Sequence, residues 1–413
     1  MRSTSLYKVG AVVAVGALTL AGCGSRGGTT AASSSSTNTV VEIGVDAPLT
    51  GSEAVLGLGI QNSADLAVKT ANKNKTVDGV TFKLVAKDDQ AQASSGQQNA
   101  TAFVADTSVI GVVGPLNSSV AQSQQKVYND ASVVSVSPAN TNPALTQGAN
   151  WQTSKARPYK SYFRVVTTDA NQGPFAAEYV YDTLGIKKVA TVNDGKTYGV
   201  GLDATFTAEF KKLGGTVAVA QTATDTTTDY ASIVSAIKAS GAGLVYYGGE
   251  FPAGAPLTKQ LKAAGVNIPE MGGDGNQDAQ YISLAGAAAA NGDYATVPGA
   301  PMSTLASAKT FIANYAAGGY KSESSVYGGF SYDATWSIIE AVKAVVGANG
   351  GKVPSSADFR SKVVAAEQSV SFSGVTGQVA FDQYGDTVNK LLTMYKVVNG
   401  SWGNGVKVGS FSG

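Results

Sequence analysis

From Val40 onward the chain repeats one unit, a short run of β-branched and small apolar residues followed by a helix-length amphipathic segment. That alternation constrains the fold more than any other feature. Parallel strands need long crossovers, and a helix is the usual way to build one. "VVEIGVDAPLT" is a strand running into a loop, and "GIQNSADLAVKTAN" sets Ile60, Ala64, Leu66, Ala67 and Val68 at roughly helical spacing. Strand "VTFKLVAKDD", helix "QQNATAFVAD", strand "VIGVVGP", helix "SSVAQSQQKVYND" and strand "SVVSVSP" follow. The pattern then restarts, with "YFRVVTT", "KKVATVND", "GTVAVAQ", "GLVYYGG" and "IPEMGGD" as strands and segments such as "PFAAEYVYDTL" and "YASIVSAIKAS" as helices.

Two successive sets of such units predict an α/β protein of two doubly wound, Rossmann-like lobes. Past about residue 300 the pattern changes: "TLASAKTFIANYAA" and "SYDATWSIIEAVKAVVGA" read as helices with no strand between them. "GQVAFDQYGD" and "KLLTMYKVVNG" then read as a closing antiparallel pair. Returning helices and strands assign 40–165 with 300–372 to the first lobe and 166–299 with 373–413 to the second, joined by a hinge of several crossings.

The N-terminus is of another kind. "MRSTSLYKVGAVVAVGALTLAGCGS" has a weakly basic start and an apolar run from Val9 to Leu20, the length of a signal-peptide core and short for a membrane span. The run ends in Leu20-Ala21-Gly22-Cys23, which resembles the bacterial lipobox, and Cys23 is the single cysteine of the chain. The resemblance implies cleavage of residues 1–22 and lipidation of Cys23. Two or three acyl chains, at about 0.8 kcal/mol per buried CH₂, would anchor the protein stably. Residues 23–39, rich in Gly, Ser and Thr, have the composition of a flexible tether.

Composition removes several classes of function. The net charge is +1 and no basic run occurs, which argues against nucleic acid. Histidine is absent and a second cysteine is lacking, so Cys-His zinc sites and Cys-His nucleophile pairs are excluded. "SAIK", Ser235 to Lys238, matches Ser-x-x-Lys but lies inside an amphipathic helix without partner motifs. No P-loop or metal-spacing motif is present, and neither enzymatic activity nor a cofactor or metal is expected.

In open α/β sheets ligands bind beyond the carboxyl ends of the strands. After "VIGVVG" comes Pro115-Leu116-Asn117-Ser118-Ser119, a helix start whose free N–H groups and hydroxyls suit an anion, although one of the serines could serve only as the N-cap. After "SVVSVS" comes Pro138-Ala139-Asn140-Thr141-Asn142-Pro143, either a plain turn or a rigid loop bringing Thr141 toward Ser118. In the second half "ATVND" leads to Tyr198, "GLVYYGG" to Glu250 and "IPEMGG" to Asp274. Anion donors in one lobe and carboxylates in the other would suit a zwitterion.

The stretches "VVGPLNSSVAQSQQKVYND", "VSPANTNPALT", "YFRVVTTDANQGPFAAEYV", "VYYGGEFP" and "MGGDG", in that order, resemble the leucine/isoleucine/valine-binding family of type I periplasmic solute-binding proteins over nearly the whole chain from Val40. The resemblance implies two lobes on a three-stranded hinge that close around an amino acid and deliver it to the permease of an ABC transporter. It assigns the α-carboxylate to Ser118 and Thr141, the α-ammonium to Asp274 and the Ala139 carbonyl, and covering aromatics to Tyr198 and Tyr327. Leu56 and Glu250 stand where relatives often carry aromatics on the ligand side chain. Glu250, after Gly248-Gly249 at the strand end, therefore turns the expected ligand from a branched aliphatic amino acid toward a polar or cationic one, unless it is a solvated loop carboxylate. The extra segment "NWQTSKARPYKSY" brings Trp151 and Tyr159 either over the cleft or onto a lobe surface. The expectation is an extracytoplasmic, lipid-anchored, monomeric transport component. The alternative is a same-fold sensor, or a binder of amides, urea or a small carboxylate.

Overall fold

The computed structural model describes residues 38–224 and 226–411, so the expected signal peptide, Cys23 and nearly all of the expected tether lie outside the described residues. The first sheet is built in chain order by β1 (Thr39–Ala47), α1 (Ala54–Lys73), β2 (Val80–Asp88), α2 (Ala93–Ala105), β3 (Val109–Val113), α3 (Ser118–Asp130), β4 (Val134–Ser137), the four-residue α4 (Ala144–Gln147) and β5 (Tyr162–Arg164). All its strands are parallel, in the order β2-β1-β3-β4-β5. From Val41 on, β1 is buried on both faces, as helices above and below a parallel sheet require.

The second sheet continues with α5 (Asp169–Glu178), β6 (Lys188–Asn193), α6 (Thr197–Lys212), β7 (Thr216–Thr222), α7 (Ala231–Ser240), β8 (Val245–Gly248), α8 (Phe251–Ala263), β9 (Glu270–Gly272), the short α9 (Ala279–Ala285) and α10 (Ala287–Ala290), and β10 (Tyr294–Pro298). Its parallel part runs β7-β6-β8-β9-β10, which repeats the winding of the first sheet. The two doubly wound lobes expected from periodicity are present. The central strand β10, in "GDYATVPGA", is not among the expected strands, because its strand-forming run is only Tyr294–Val297, closed in by Gly292-Asp293 and Pro298-Gly299.

The chain then returns to the first lobe with α11 (Lys309–Ala317), α12 (Gly328–Ala348) and α13 (Ser356–Glu367); α12 packs on α1, β3 and β4. The expected closing pair is corrected. "GQVAFDQYGD" pairs not with "KLLTMYKVVNG" but backward: β11 (Ser371–Gly374) and β12 (Gly377–Ala380) form a hairpin of their own. Its two-residue turn is held by Asp333 of α12, which accepts from the Val375 N–H, the Thr376 N–H and the Thr376 hydroxyl at 2.6–2.8 Å. "KLLTMYKVVNG" instead supplies β13 (Leu392–Val398), antiparallel to β10, with β14 (Ser401–Trp402) and β15 (Lys407–Gly409) antiparallel on its other side.

The chain therefore passes between the two sheets three times, after β5, after β10 and between β12 and β13. Backbone bonds tie the passages together: Arg164 N–H donates to Gly385 O at 3.0 Å, and Gly299 N–H to Leu391 O at 2.7 Å. Arg164, fully buried, donates from Nε to Asp386 Oδ1 at 2.7 Å and from Nη1 to the carbonyls of Asn140 and Asn142 at 2.8 and 2.9 Å. The loop after β4 is thus fastened to the third passage.

Candidate functional site

A sheet wound in this order has its switch point between its first and third strands, and loops diverge there to leave a crevice. In the first lobe the crevice lies between the loops after β1 and β3, which carry Glu53 and Leu116–Ser118. In the second it lies between the loops after β6 and β8, which carry Asp194–Lys196 and Glu250. These loops meet. Six of the expected residues, Ser118, Ala139, Tyr198, Glu250, Asp274 and Tyr327, border one cavity together with Leu116 and Gly275. Its volume is about 10 Å³, roughly a single water, so any larger ligand enters only as the lobes part.

Asp274 is the polar centre of this cavity. It is 2% exposed, and its Oδ1 accepts from Gln172 Nε2 at 2.6 Å and Tyr198 Oη at 2.9 Å. Its Oδ2 accepts from Tyr327 Oη at 2.8 Å. Burial pushes the carboxyl above its usual range, and the three donors pull against that. Asp169, which sequence reasoning missed, is fully buried nearby; burial and then the Asp274 charge hold its carboxyl well above the usual range.

Ser118 is the first helical residue of α3, and the N-cap position belongs to Asn117, whose side chain makes no capping bond. The reading of a serine as cap is therefore corrected, and the first N–H groups of α3 have no partner within the helix. Ser118 and Ala139 are buried in the cavity wall. Thr141 does not border it: the residue is fully buried behind, its hydroxyl facing the Asp169 carboxyl without a well-formed hydrogen bond.

Glu250 is the N-cap residue of α8 and is 7% exposed, so it is not a solvated loop carboxylate. It borders the inner cavity and also a second chamber of about 190 Å³, whose wall includes Glu53, Asp194 and Lys196. One Asn117 amide nitrogen donates to Glu53 Oε2 at 2.8 Å and to Glu250 Oε1 at 3.1 Å. Lys196 Nζ stands 3.8 Å from Glu53 Oε1 and 3.9 Å from Glu250 Oε2. Burial, then the Glu250 charge, push the Glu53 carboxyl up to about 8 and the Asp194 carboxyl up to about 9. Among the described residues, no group of three or more acidic or thiol side chains is arranged to hold a metal ion.

Several expectations fall elsewhere. Leu56 is not in a cleft loop; it lies in the first turn of α1 and is 1% exposed in the core, while Glu53 just before that helix faces the chamber. The close approach at Gly248 is to the protein itself: a Cβ there would stand 2.2 Å from Gly199 O, and one on Gly199 2.2 Å from Gly248 O. Tyr159 packs against Ala121, Leu145 and Tyr162, and neither Tyr159 nor Trp151 borders the two chambers. In "SAIK" the Ser235 hydroxyl donates to Ala231 O and the Lys238 ammonium to Ala264 O, so no nucleophile–base pair forms.

Residues 40–401 match the model of the periplasmic binding protein family. The Leu/Ile/Val-binding protein homolog 1 of Brucella abortus is 29% identical over 363 residues, 88% of this chain and 92% of that one. The substrate-binding protein LivJ of the Streptococcus pneumoniae branched-chain amino acid transporter, solved with isoleucine, superposes with a TM-score of 0.78 at 24% identity, over 90% of this chain and 99% of its own. A solute-binding protein of an ABC transporter from R. palustris, solved with benzoate, superposes at 0.76 and 20% identity, over 90% and 96%.

Proposed function

The chain belongs to the periplasmic binding protein family, in its leucine/isoleucine/valine-binding branch, and from that premise we propose that it captures a free amino acid by lobe closure. Members of this family are extracytoplasmic binders that pass a small ligand to an ABC transporter, and they are not enzymes. In this reading the α-carboxylate is held by the Ser118 hydroxyl and the first amides of α3, with Thr141 behind them. The α-ammonium lies against Asp274 and the Ala139 carbonyl, with Tyr198 and Tyr327 enclosing it. Glu250 contacts a side chain that is polar or cationic.

The observation that carries the reading is a buried Asp274 carboxylate across a small cavity from the uncapped start of α3. Once closed and dry, such a cleft penalises a ligand lacking either charge, because the opposing group is left unpaired. The benzoate complex keeps a second reading in view, a small carboxylate. Benzoate offers nothing to neutralise Asp274, which favours the amino acid. The lobes that move are 40–165 with 300–372 and 166–299 with 373–413, except that the hairpin Ser371–Ala380, docked on α12, travels with the first. The mature protein works as a monomer tethered to the membrane through a lipidated Cys23.

The test is calorimetric titration with a panel of free amino acids, amino-acid amides, urea and benzoate, on the wild type and Asp274→Ala. Loss of an opposed buried charge costs about 2–5 kcal/mol, so amino-acid affinity should fall at least 30-fold in the variant. An unchanged affinity, or a preference for urea or benzoate, would sink the clamp.

A further inference from the structure

The chamber beside the amino-acid site has a chemistry of its own. Its polar wall is assembled from both switch points: Glu53 follows β1, Asp194 and Lys196 follow β6, and Glu250 follows β8. Glu53 is 4% exposed, Asp194 3% and Glu250 7%, so three carboxyl groups are withdrawn from water in one place. The Asn117 amide reaches Glu53 and Glu250, and the Lys196 ammonium approaches the same two at 3.8 and 3.9 Å. Asp194 lies in the chamber wall: its Oδ1 accepts the Lys196 backbone N–H at 2.8 Å, while Oδ2 makes no well-formed hydrogen bond and the side chain faces the Glu250 carboxyl.

That oxygen is a second observation beside the acidic cluster. Three carboxyl groups gathered away from water cannot all ionise without cationic or N–H partners, and burial with the Glu250 charge keeps two of them protonated. The protein could have relieved this with an apolar or amide side chain, yet three carboxyls remain around a space of about 190 Å³. A group rich in donors and positively charged would answer all of them at once. The Glu250 side chain fixes the direction, since it borders this chamber on one side and the cavity of Asp274 and Ser118 on the other.

We propose that this chamber takes the cationic end of a basic α-amino acid, a guanidinium or ammonium reaching Glu53, Asp194 and Glu250 while the head group lies between Ser118 and Asp274. This rests on the amino-acid reading given above. A planar guanidinium, with its five donors in a fixed fork, matches carboxylates from several directions better than a compact ammonium. Burial and the neighbouring Glu250 charge hold protons on Glu53 and Asp194 in the closed protein, and an entering cation would release them. The other charged groups facing these two are Lys196 and Asp89, with Tyr247 beside Asp194.

The test uses the mature wild-type protein and four probes: L-arginine, L-lysine, its shape-related neutral counterpart of arginine L-citrulline, and L-leucine. Charged hydrogen bonds of this kind are worth tenfold or more in affinity, so arginine or lysine should bind at least about tenfold more tightly than citrulline and leucine. Arginine above lysine assigns the guanidinium, and the reverse assigns the ammonium. The double variant Glu53→Gln with Asp194→Asn should collapse the arginine-to-citrulline ratio, with folding checked by its melting curve. Citrulline or leucine binding as tightly as both cations would overturn the proposal while leaving the head-group clamp standing. If none of the four binds, the clamp itself fails and this inference falls with it.

Discussion

Tyr327 and Asp274 meet across the cleft: the phenol hydroxyl, at the N-cap of a helix packed on the first sheet, donates to Oδ2 at 2.8 Å in the loop that follows a strand of the second. Such a bond exists only when the lobes are together, so it favours the closed form by its full strength. Removing the hydroxyl with Tyr327→Phe should weaken amino-acid binding about tenfold, as expected for a hydrogen bond to a charged group. The loss should appear chiefly as faster dissociation in stopped-flow fluorescence, with little change in melting temperature. Equal dissociation rates would show that the bond does not hold the lobes closed.

Arg164 and Asp386 are both fully buried, and their ion pair joins the loop of Ala139 and Thr141 to the third passage between lobes. Burial alone would raise the Asp386 carboxyl, but the Arg164 charge and the Gln147 amide outweigh it and hold it below its usual range. Breaking such a pair from one side leaves an uncompensated buried charge. Arg164→Met should therefore destabilise the protein by about 3–5 kcal/mol in urea unfolding. Arg164→Lys should recover little of it, because one ammonium cannot serve the carboxylate and two carbonyls in the directions that the guanidinium does.

The sheets, most of the helices and the cleft were legible in the sequence, because buried parallel strands and amphipathic helices impose periods of their own. Asp274, Tyr198 and Ser118 were reachable because each lies in the loop or the helix start that comes after a strand, where the winding puts ligand loops. What could not be read depended on partners distant in sequence. Asp194 and Asp169 were ordinary acidic residues until the fold buried them, and Glu53 stood three places from the Leu56 that drew attention instead. The final strands misled because a two-residue turn at Val375-Thr376 competes with the longer connection, and its fixing bonds come from Asp333 of another helix.

Gly199 and Gly248 place α6 directly on the end of β8, with room for no Cβ on either residue. Tyr198 precedes one glycine and Glu250 follows the other by two, so this contact sets the spacing of two residues that border the inner cavity. Gly248→Ala must push backbone against backbone, which no rotamer change relieves. A loss of about 1–3 kcal/mol in stability is expected, as for overpacked cores. Amino-acid affinity should fall as well, measured by calorimetry at a temperature where the variant is fully folded. A variant that is destabilised but binds normally would separate the packing contact from the site.

Glu367, the last residue of α13, carries a fully buried carboxyl that faces the Ser337 hydroxyl without a well-formed hydrogen bond, and burial pushes it from its ordinary value of 4.5 up to about 8 against the pull of that hydroxyl. Below pH 4.5 the folded and unfolded chains both hold the proton, and the contribution of this group is fully present. Between 4.5 and 8 the unfolded chain gives up its proton while the folded one keeps it, so stability falls across that window and levels off above it. Glu367→Gln removes the titration at nearly constant shape. Its melting temperature should match the wild type at pH 5 and exceed it by a few degrees at pH 8, corresponding to an effect on the order of a few kcal/mol. Glu270, likewise buried and pushed up to about 8, keeps its own fall, so the slope against pH should shrink without vanishing. Parallel curves for the two proteins from pH 5 to 8, recorded by scanning calorimetry, would rule Glu367 out as a source of that slope.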